Sequence, residues 1–254
     1  MNEHTPASDA LLQTRELSKQ FGGLKVTRQI SLTLRAGERV GLIGPNGAGK
    51  TTLVNLVTGV STPTAGSVWL NGEDVSRLSQ PARVRRGLVR TFQITQLAPR
   101  IAVARQVEMA IHQRTGSVSS WFRPADEYAA VREEAAGILR ALKLDGFANR
   151  CPIELAYGEQ RLIEIALALA LRPRVLLLDE PMAGVPASER TVILEALATL
   201  PPELAILMIE HDMGLVFSFA SRIIVLSEGS LLADGTPDEI RDHPAVKAVY
   251  LGTA

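Results

Sequence analysis

Val40-Gly41-Leu42-Ile43-Gly44-Pro45-Asn46-Gly47-Ala48-Gly49-Lys50-Thr51-Thr52 is the stretch on which the fold turns. Its first four residues are a short apolar run of the kind that fills a buried strand. Three glycines follow within six residues, and from Lys50 to Val57 the apolar residues fall at helical spacing until Gly59 stops the pattern. The order is strand, glycine-rich loop, helix. Gly44 to Thr51 satisfies G-x-x-x-x-G-K-[ST] at every fixed position, a match that average composition gives by chance in roughly 1% of chains this long. In such a loop glycines let successive backbone N–H groups curl toward an anion, and the helix behind them presents its positive end to the same charge. The expected ligand is a polyphosphate cradled by Gly44, Pro45, Asn46, Gly47, Ala48, Gly49 and Thr52. Lys50 is expected to reach its β and γ phosphates and Thr51 to hold Mg²⁺. A dinucleotide fingerprint is excluded, because Thr52 stands where its third glycine would fall.

Working outward, residues 11–40 alternate apolar and polar positions, with Ile30, Leu32 and Leu34 on one face and turns at Gly22-Gly23 and Ala36-Gly37, which predicts antiparallel strands. A hairpin-like stretch follows at Ser67 to Gly72. From about Ile94 to Ile153 strand signals vanish, and Tyr128, Val131, Ala135, Ile138, Leu139 and Leu142 form a helix stripe within Asp126 to Leu144. Apolar strands return at Val175–Leu178, Ala205–Ile209 and Ile223–Leu226, separated by helical stretches at Glu159–Leu171 and Glu189–Leu200, so a parallel sheet is expected. Thr236-Pro237-Asp238-Glu239 opens a last helix, expected to run to about Tyr250. The expected organisation is a disordered tail over 1–10 and a single domain over 11–252, with a helical subdomain inserted at about 94–157.

Lys plus Arg (27) equals Asp plus Glu (27), so no global basic field draws nucleic acid or anionic lipid. No apolar run approaches the length of a membrane span, and the first residues lack the pattern of a secretory signal. A soluble chain is expected, tied to membranes only through protein partners. The lone Cys151 reads as a small buried residue in a reducing cytoplasm.

Val175-Leu176-Leu177-Leu178-Asp179-Glu180 puts two carboxylates at the end of a buried strand, the sheet edge where α/β proteins bind ligands. Asp179 is expected to bind Mg²⁺, through water, and Glu180 to polarise the attacking water. Leu155-Ala156-Tyr157-Gly158-Glu159-Gln160-Arg161 opens a helix whose N–H groups make a second anion-binding end. One phosphate site needs only one such end, so a partner chain is implied.

Together these residues resemble the ATP-binding subunit of ABC transporters over about residues 11–252, with Leu155 to Gln160 as a variant of the signature L-S-G-G-Q. The resemblance implies an α/β, P-loop NTPase (RecA-like) cassette with an N-terminal antiparallel β subdomain and a helical subdomain. It implies head-to-tail pairing, in which Ala156, Tyr157, Gly158, Glu159 and Gln160 close on the partner's ATP. Phe21 resembles the aromatic that stacks on adenine. Gln93, in Arg90-Thr91-Phe92-Gln93, resembles the loop glutamine that meets metal and attacking water. His211, in Ile209-Glu210-His211-Asp212, resembles the switch histidine that hydrogen-bonds the γ-phosphate. Alone, each would read as core packing, a solvated amide or a strand-end histidine; their order and spacing favour the functional reading.

Phe21-Gly22-Gly23-Leu24-Lys25, Val89-Arg90-Thr91-Phe92-Gln93, Leu155-Ala156-Tyr157-Gly158 and Tyr250-Leu251-Gly252 narrow the resemblance to branched-chain amino-acid importers. That branch implies two transmembrane permease subunits, a second ATP-binding cassette, an extracytoplasmic solute-binding protein, and a place on the cytoplasmic face of the inner membrane. Alternatives are a lipid or lipopolysaccharide exporter cassette, a non-transport ABC ATPase, and a P-loop kinase or GTPase that would leave Leu155 to Gln160 unexplained. Two positions depart from the broad family. Ala156 replaces the signature serine, a loss of about 0.5 to 1.5 kcal/mol of hydrogen bonding. Pro186 stands where most relatives carry aspartate, which predicts altered communication across the dimer. Arg83, Arg85, Arg86 and Arg90 read as a solvated face or as a contact with permease or lipid. Trp121 and Phe122 read as lining for a transporter coupling helix or as packing of their own lobe.

Overall fold

Alternation in the first strands has its expected result: in β1 (Ala10–Phe21) and β2 (Leu24–Arg35), Leu12, Leu17, Ile30, Leu32 and Leu34 are buried on one face while most of their neighbours, Leu11 excepted, stay partly or fully exposed. With β4 (Ala65–Leu70) and β5 (Glu73–Asp74) they form an antiparallel sheet in the order β2-β1-β4-β5. The computed structural model describes residues 10–91, 97–116 and 125–251, so Gln93, Trp121, Phe122, Gly252 and residues 1–9 lie outside the described residues, while Ala10, counted with the expected tail, opens β1.

A second sheet has six strands in the order β10-β9-β3-β8-β7-β6. The strands β3 (Arg39–Ile43), β6 (Leu88–Arg90), β7 (Val175–Asp179), β8 (Ala205–Ile209) and β9 (Arg222–Ser227) pair in parallel, and β10 (Ser230–Gly235) closes the edge antiparallel to β9. β7 and β8 are buried at every position, as strands covered on both faces require. The main core fills the space around α1 (Lys50–Thr58), whose Leu53, Val54, Leu56 and Val57 meet Leu42, Leu177, Leu207 and Leu226 of the sheet. A smaller core joins α7 (Met213–Phe219), α8 (Pro237–Asp242) and α9 (Pro244–Leu251) through Val216, Ile223, Ile240 and Val246. All of this, with the short α2 (Gln80–Val84), belongs to one compact unit, residues 1–90, 174–180 and 202–254.

The second unit, residues 91–173 and 181–201, is helical: α3 (Val103–Arg114), α4 (Ala125–Ala141), α5 (Tyr157–Ala170) and α6 (Ala187–Ala198). Val107, Ile111, Ala135, Leu139, Ile163 and Ala166 are buried there. Among the described residues no helix is long and apolar enough to cross a membrane.

Three expectations need correction. The last helix is two helices, because Pro244 cannot donate its own hydrogen bond and holds His243 at φ −66°, ψ 118°, outside the helical region. Cys151 is half-buried rather than enclosed. The arginine group divides: Arg85 is exposed and Arg86 makes a part-exposed ion pair with Glu73, as a solvated face would have it, but Arg83 and Arg90 are turned inward. Arg83 is fully buried, and its guanidinium donates to the carbonyls of Leu56 (2.7 Å), Val57 (2.6 Å), Ser76 (3.0 Å) and Leu78 (3.1 Å). It thereby caps the C-terminal end of α1, whose last carbonyls have no partner within the helix. Burial holds its pKa below the ordinary arginine value.

Candidate active site

Within the first unit, the loop between β3 and α1 is shaped by backbone that side chains resist. Gly44 has φ 156° and lies so close to β9 that a Cβ there would sit 2.4 Å from the Leu226 carbonyl; Gly49, just before the helix, has φ 98°. The turn after β9 braces the loop from one side, Gly229 N–H donating to Ala48 O at 3.1 Å. From another side Tyr250 of α9 hydrogen-bonds the backbone of Gly44. Withdrawal from water pushes the Tyr250 phenol up to about 12, that bond offsetting part of the rise.

Lys50 is buried, and its ammonium donates to Gly44 O (2.6 Å) and Pro45 O (3.0 Å), folded back on the loop it serves. Desolvation lowers its pKa and the nearby Glu180 carboxylate opposes the shift. Asn46, Gly47 and Thr51 are exposed at the mouth of the loop, Pro45 and Thr52 partly covered, and Ala48 buried beneath it. Phe21 ends β1 at the turn into β2, with 53% of its surface exposed and Lys19 Nζ 4.9 Å from its ring centre. An aromatic face left open at a sheet edge suits a stacking partner. β2 carries that turn to the loop, since a Cβ on Gly49 would meet the Val26 carbonyl at 2.9 Å.

β7 delivers Asp179 and Glu180 to the same edge. Asp179 is buried and accepts from Arg90 Nη2, while Arg90 Nη1 donates to Asn55 Oδ1 on α1 at 2.8 Å. Glu180 sits at φ 49°, a left-handed conformation costing about 1–3 kcal/mol for a residue with a side chain, and its N–H is held by Ile209 O at 2.9 Å. The strained turn points its carboxylate at His211, Nε2 to Oε1 at 2.7 Å. In this structure, then, the histidine at the end of β8 pairs with the carboxylate expected to polarise water. The donor set fits a nucleotide and Mg²⁺. Left-handed glycines open the cradle, an exposed threonine hydroxyl stands beside it, and a single buried carboxylate faces it. Mg²⁺ is held by one or two protein groups plus phosphate oxygens, and among the described residues no group of three or more His, Cys, Asp or Glu is placed to hold a metal.

In the second unit the predicted signature residues gather at the start of α5. Ala156 is its N-cap residue; lacking a side-chain acceptor, it relies on Glu159, whose carboxylate accepts from Ala156 N–H at 2.8 Å. Gly158 N–H donates to Glu189 of α6 at 2.9 Å, and a Cβ on Gly158 would meet that carboxylate at 2.5 Å and require the Glu189 side chain to shift. Tyr157 takes a hydrogen bond from Arg161 at 2.7 Å and lies against Gly184, in the loop that leads to Pro186, the N-cap residue of α6. The Gln160 amide donates to Pro152 O and Leu155 O, both at 3.1 Å, so it shapes its own turn.

Sequence reasoning missed Arg90, Asn55 and Tyr250 as parts of the phosphate site, and Glu189 as partner of the signature. For Arg90 no local signal existed, since Leu88-Val89-Arg90 is too short to read as a strand by itself. The other three act through contacts 31 or more residues away that no local pattern announces.

Comparison with known proteins reaches further than any one motif. The family model for ABC transporters matches residues 27–183, and that for the branched-chain amino acid ATP-binding cassette transporter matches residues 230–254. The chain is 40% identical to the high-affinity branched-chain amino acid transport ATP-binding protein BraF of Pseudomonas aeruginosa and 42% identical to LivG, of the same description, from Salmonella typhimurium; each alignment covers 97% of this chain and 100% of the relative. Its fold superposes on the ADP conformation of MJ1267, an ATP-binding cassette of an ABC transporter, with a TM-score of 0.83 at 28% identity, covering 96% of this chain and 99% of that one. Because the similarity runs from end to end and not through the phosphate loop alone, the chain belongs to the ABC transporter family, as one of its ATP-binding and ATP-hydrolysing cassettes.

Proposed function

We propose that this cassette powers an importer of branched-chain or related amino acids. The observation that carries the reading is similarity at the C-terminal end: residues 230–254, whose described part holds β10, α8 and α9 and includes Tyr250, match the branched-chain family model, and full-length relatives carry that description. It works with two transmembrane permease subunits and a second cassette, at the cytoplasmic face of the membrane, and a solute-binding protein feeds the permease.

In this reading ATP lies with its adenine on Phe21 and its phosphates against the backbone N–H groups between 44 and 52, Pro45 having none. Thr51, Asp179 and Gln93 would hold Mg²⁺, which would supply positive charge to the phosphates. Lys50 leaves the Gly44 and Pro45 carbonyls for the phosphate oxygens, a motion its four-carbon stem permits. Glu180 accepts a proton from the attacking water, and His211, already in contact with Glu180, orients that carboxylate and meets the γ-phosphate. Ala156 to Gln160 close on the ATP of the partner cassette, so that binding draws two cassettes together and hydrolysis lets them part.

The test is to tag the Glu180→Gln chain, isolate it from native membranes with ATP and Mg²⁺, and identify the co-purifying proteins by mass spectrometry. Two multi-pass permeases and a second cassette, with branched-chain amino-acid uptake lost from the cells, are the expected result. Lipid-export proteins as the stoichiometric partners would replace the importer reading.

A further inference from the structure

Arg90 ends β6, paired in parallel with β7 so that its backbone lies opposite Leu177. From there its side chain reaches the carboxylate of Asp179 with Nη2 and the Asn55 Oδ1 on α1 with Nη1, at 2.8 Å. Only 12% of the Arg90 side chain and 5% of the Asp179 side chain is exposed, and Arg90 Nε is buried without a hydrogen-bond partner. One guanidinium is thus fixed between the helix that follows the phosphate loop and the carboxylate expected to take the metal. A buried carboxylate needs a counter-charge, and removing one partner of such a pair leaves the other uncompensated. A cation seated on Oδ2 also competes with any second cation for that oxygen, because the two repel at contact distance.

We propose that Arg90 is an internal counter-cation for Asp179: it satisfies the carboxylate before nucleotide arrives, and its charge opposes metal binding there until nucleotide comes. The inference rests on the reading of Asp179 as metal ligand. It gives metal loading an order. A divalent ion alone, offered little but one carboxylate already in use, does not overcome the charge of the guanidinium; an ion arriving with phosphate oxygens, which supply its remaining ligands, does. Asn55 is the hook that keeps the guanidinium in place.

The test uses the full chain and Mn²⁺ as probe of the Mg²⁺ seat, with free Mn²⁺ followed by electron paramagnetic resonance in the absence of nucleotide. Arg90→Gln is expected to bind Mn²⁺ about tenfold more tightly than wild type, the effect of one charge-assisted hydrogen bond removed from the competitor. Arg90→Lys, which keeps the charge, is expected to stay within about threefold of wild type, and Arg90→Gln combined with Asp179→Asn to lose the gain. Asn55→Ala, which retains the ion pair but frees the guanidinium, shifts in the same direction by less and serves if Arg90→Gln does not fold. Mn²⁺ affinity of both Arg90→Gln and Asn55→Ala at or below that of wild type would overturn the proposal. Asp179→Asn is also titrated with Mg²⁺ against a fluorescent ATP analogue. If its metal dependence matches wild type, the metal-ligand reading itself fails; if the dependence is lost while Arg90→Gln changes nothing, the counter-cation fails alone.

Discussion

At the scale of single residues, the first unit buries charge where charge completes a backbone. Arg83 is the case in point: a guanidinium with no water around it is stabilised by four carbonyls, two of them at the end of α1. Because α1 carries Lys50 and Thr51 at its other end, the cap also fixes the helix that presents the phosphate loop. Arg83→Leu would strand those carbonyls in an apolar environment, and each unsatisfied group costs about 1–3 kcal/mol. Unfolding in urea is expected to show a loss of about 3 kcal/mol or more; a loss below about 1 kcal/mol would mean that water or a neighbour replaces the guanidinium without penalty. Sequence could not have told Arg83 from its exposed neighbour Arg85. The two are equally charged, and the carbonyls that separate their fates include those of Leu56 and Val57, 26 to 27 residues upstream.

At the scale of elements, local pattern was legible wherever an element's own neighbours determine it. The strand before the phosphate loop was read one residue short and the helix after it ends one residue later than read; β7 and β8 stand where their apolar runs placed them, at Val175–Asp179 and Ala205–Ile209. β6, three residues long, escaped, because its identity comes from pairing with β7 rather than from its own periodicity. The join of α3, α4 and α5 likewise escaped. Arg114, ending α3, grips both oxygens of Glu134 on α4 (2.7 and 2.9 Å) and the last carbonyl of α5, Ala170 O, at 2.8 Å, and Arg172 Nε adds a bond to Glu134 at 3.0 Å. The hydrogen bond from Arg114 first, and then that from Arg172, hold the Glu134 carboxyl below the ordinary glutamate range against the opposing effect of burial. A carboxylate whose folded pKa is depressed adds stability above its unfolded pKa, about 4.3, and loses it as pH falls through the lower folded value. Glu134→Gln is therefore expected to cost about 1–2 kcal/mol at pH 7 and progressively less below pH about 4, as read from denaturation midpoints across pH. An equal cost at pH 3 and pH 7 would show that the contact acts by shape alone.

At the scale of the whole molecule, a phosphate loop and two carboxylates ending a buried strand were legible as local motifs, the histidine after the next strand only through the family resemblance, and end-to-end similarity supplies the family they belong to. What the motifs left out are groups that hold those residues in place: Asn55 and Arg90 on Asp179, Tyr250 on Gly44, Glu189 on Gly158. Such partners are set by tertiary contact. A left-handed Glu180 in hydrogen-bond contact with His211 is the feature of this chain most specific to hydrolysis, since phosphate binding alone requires neither. The most direct measurement is therefore phosphate release and ATP binding by the wild-type and Glu180→Gln chains, assayed side by side in the assembly each forms. Removing a general base costs about 10²- to 10⁴-fold, so the substituted chain is expected to bind ATP as wild type does while releasing phosphate at least about 100-fold more slowly. Wild-type release from Glu180→Gln would contradict the assignment of this site as the one that cleaves ATP.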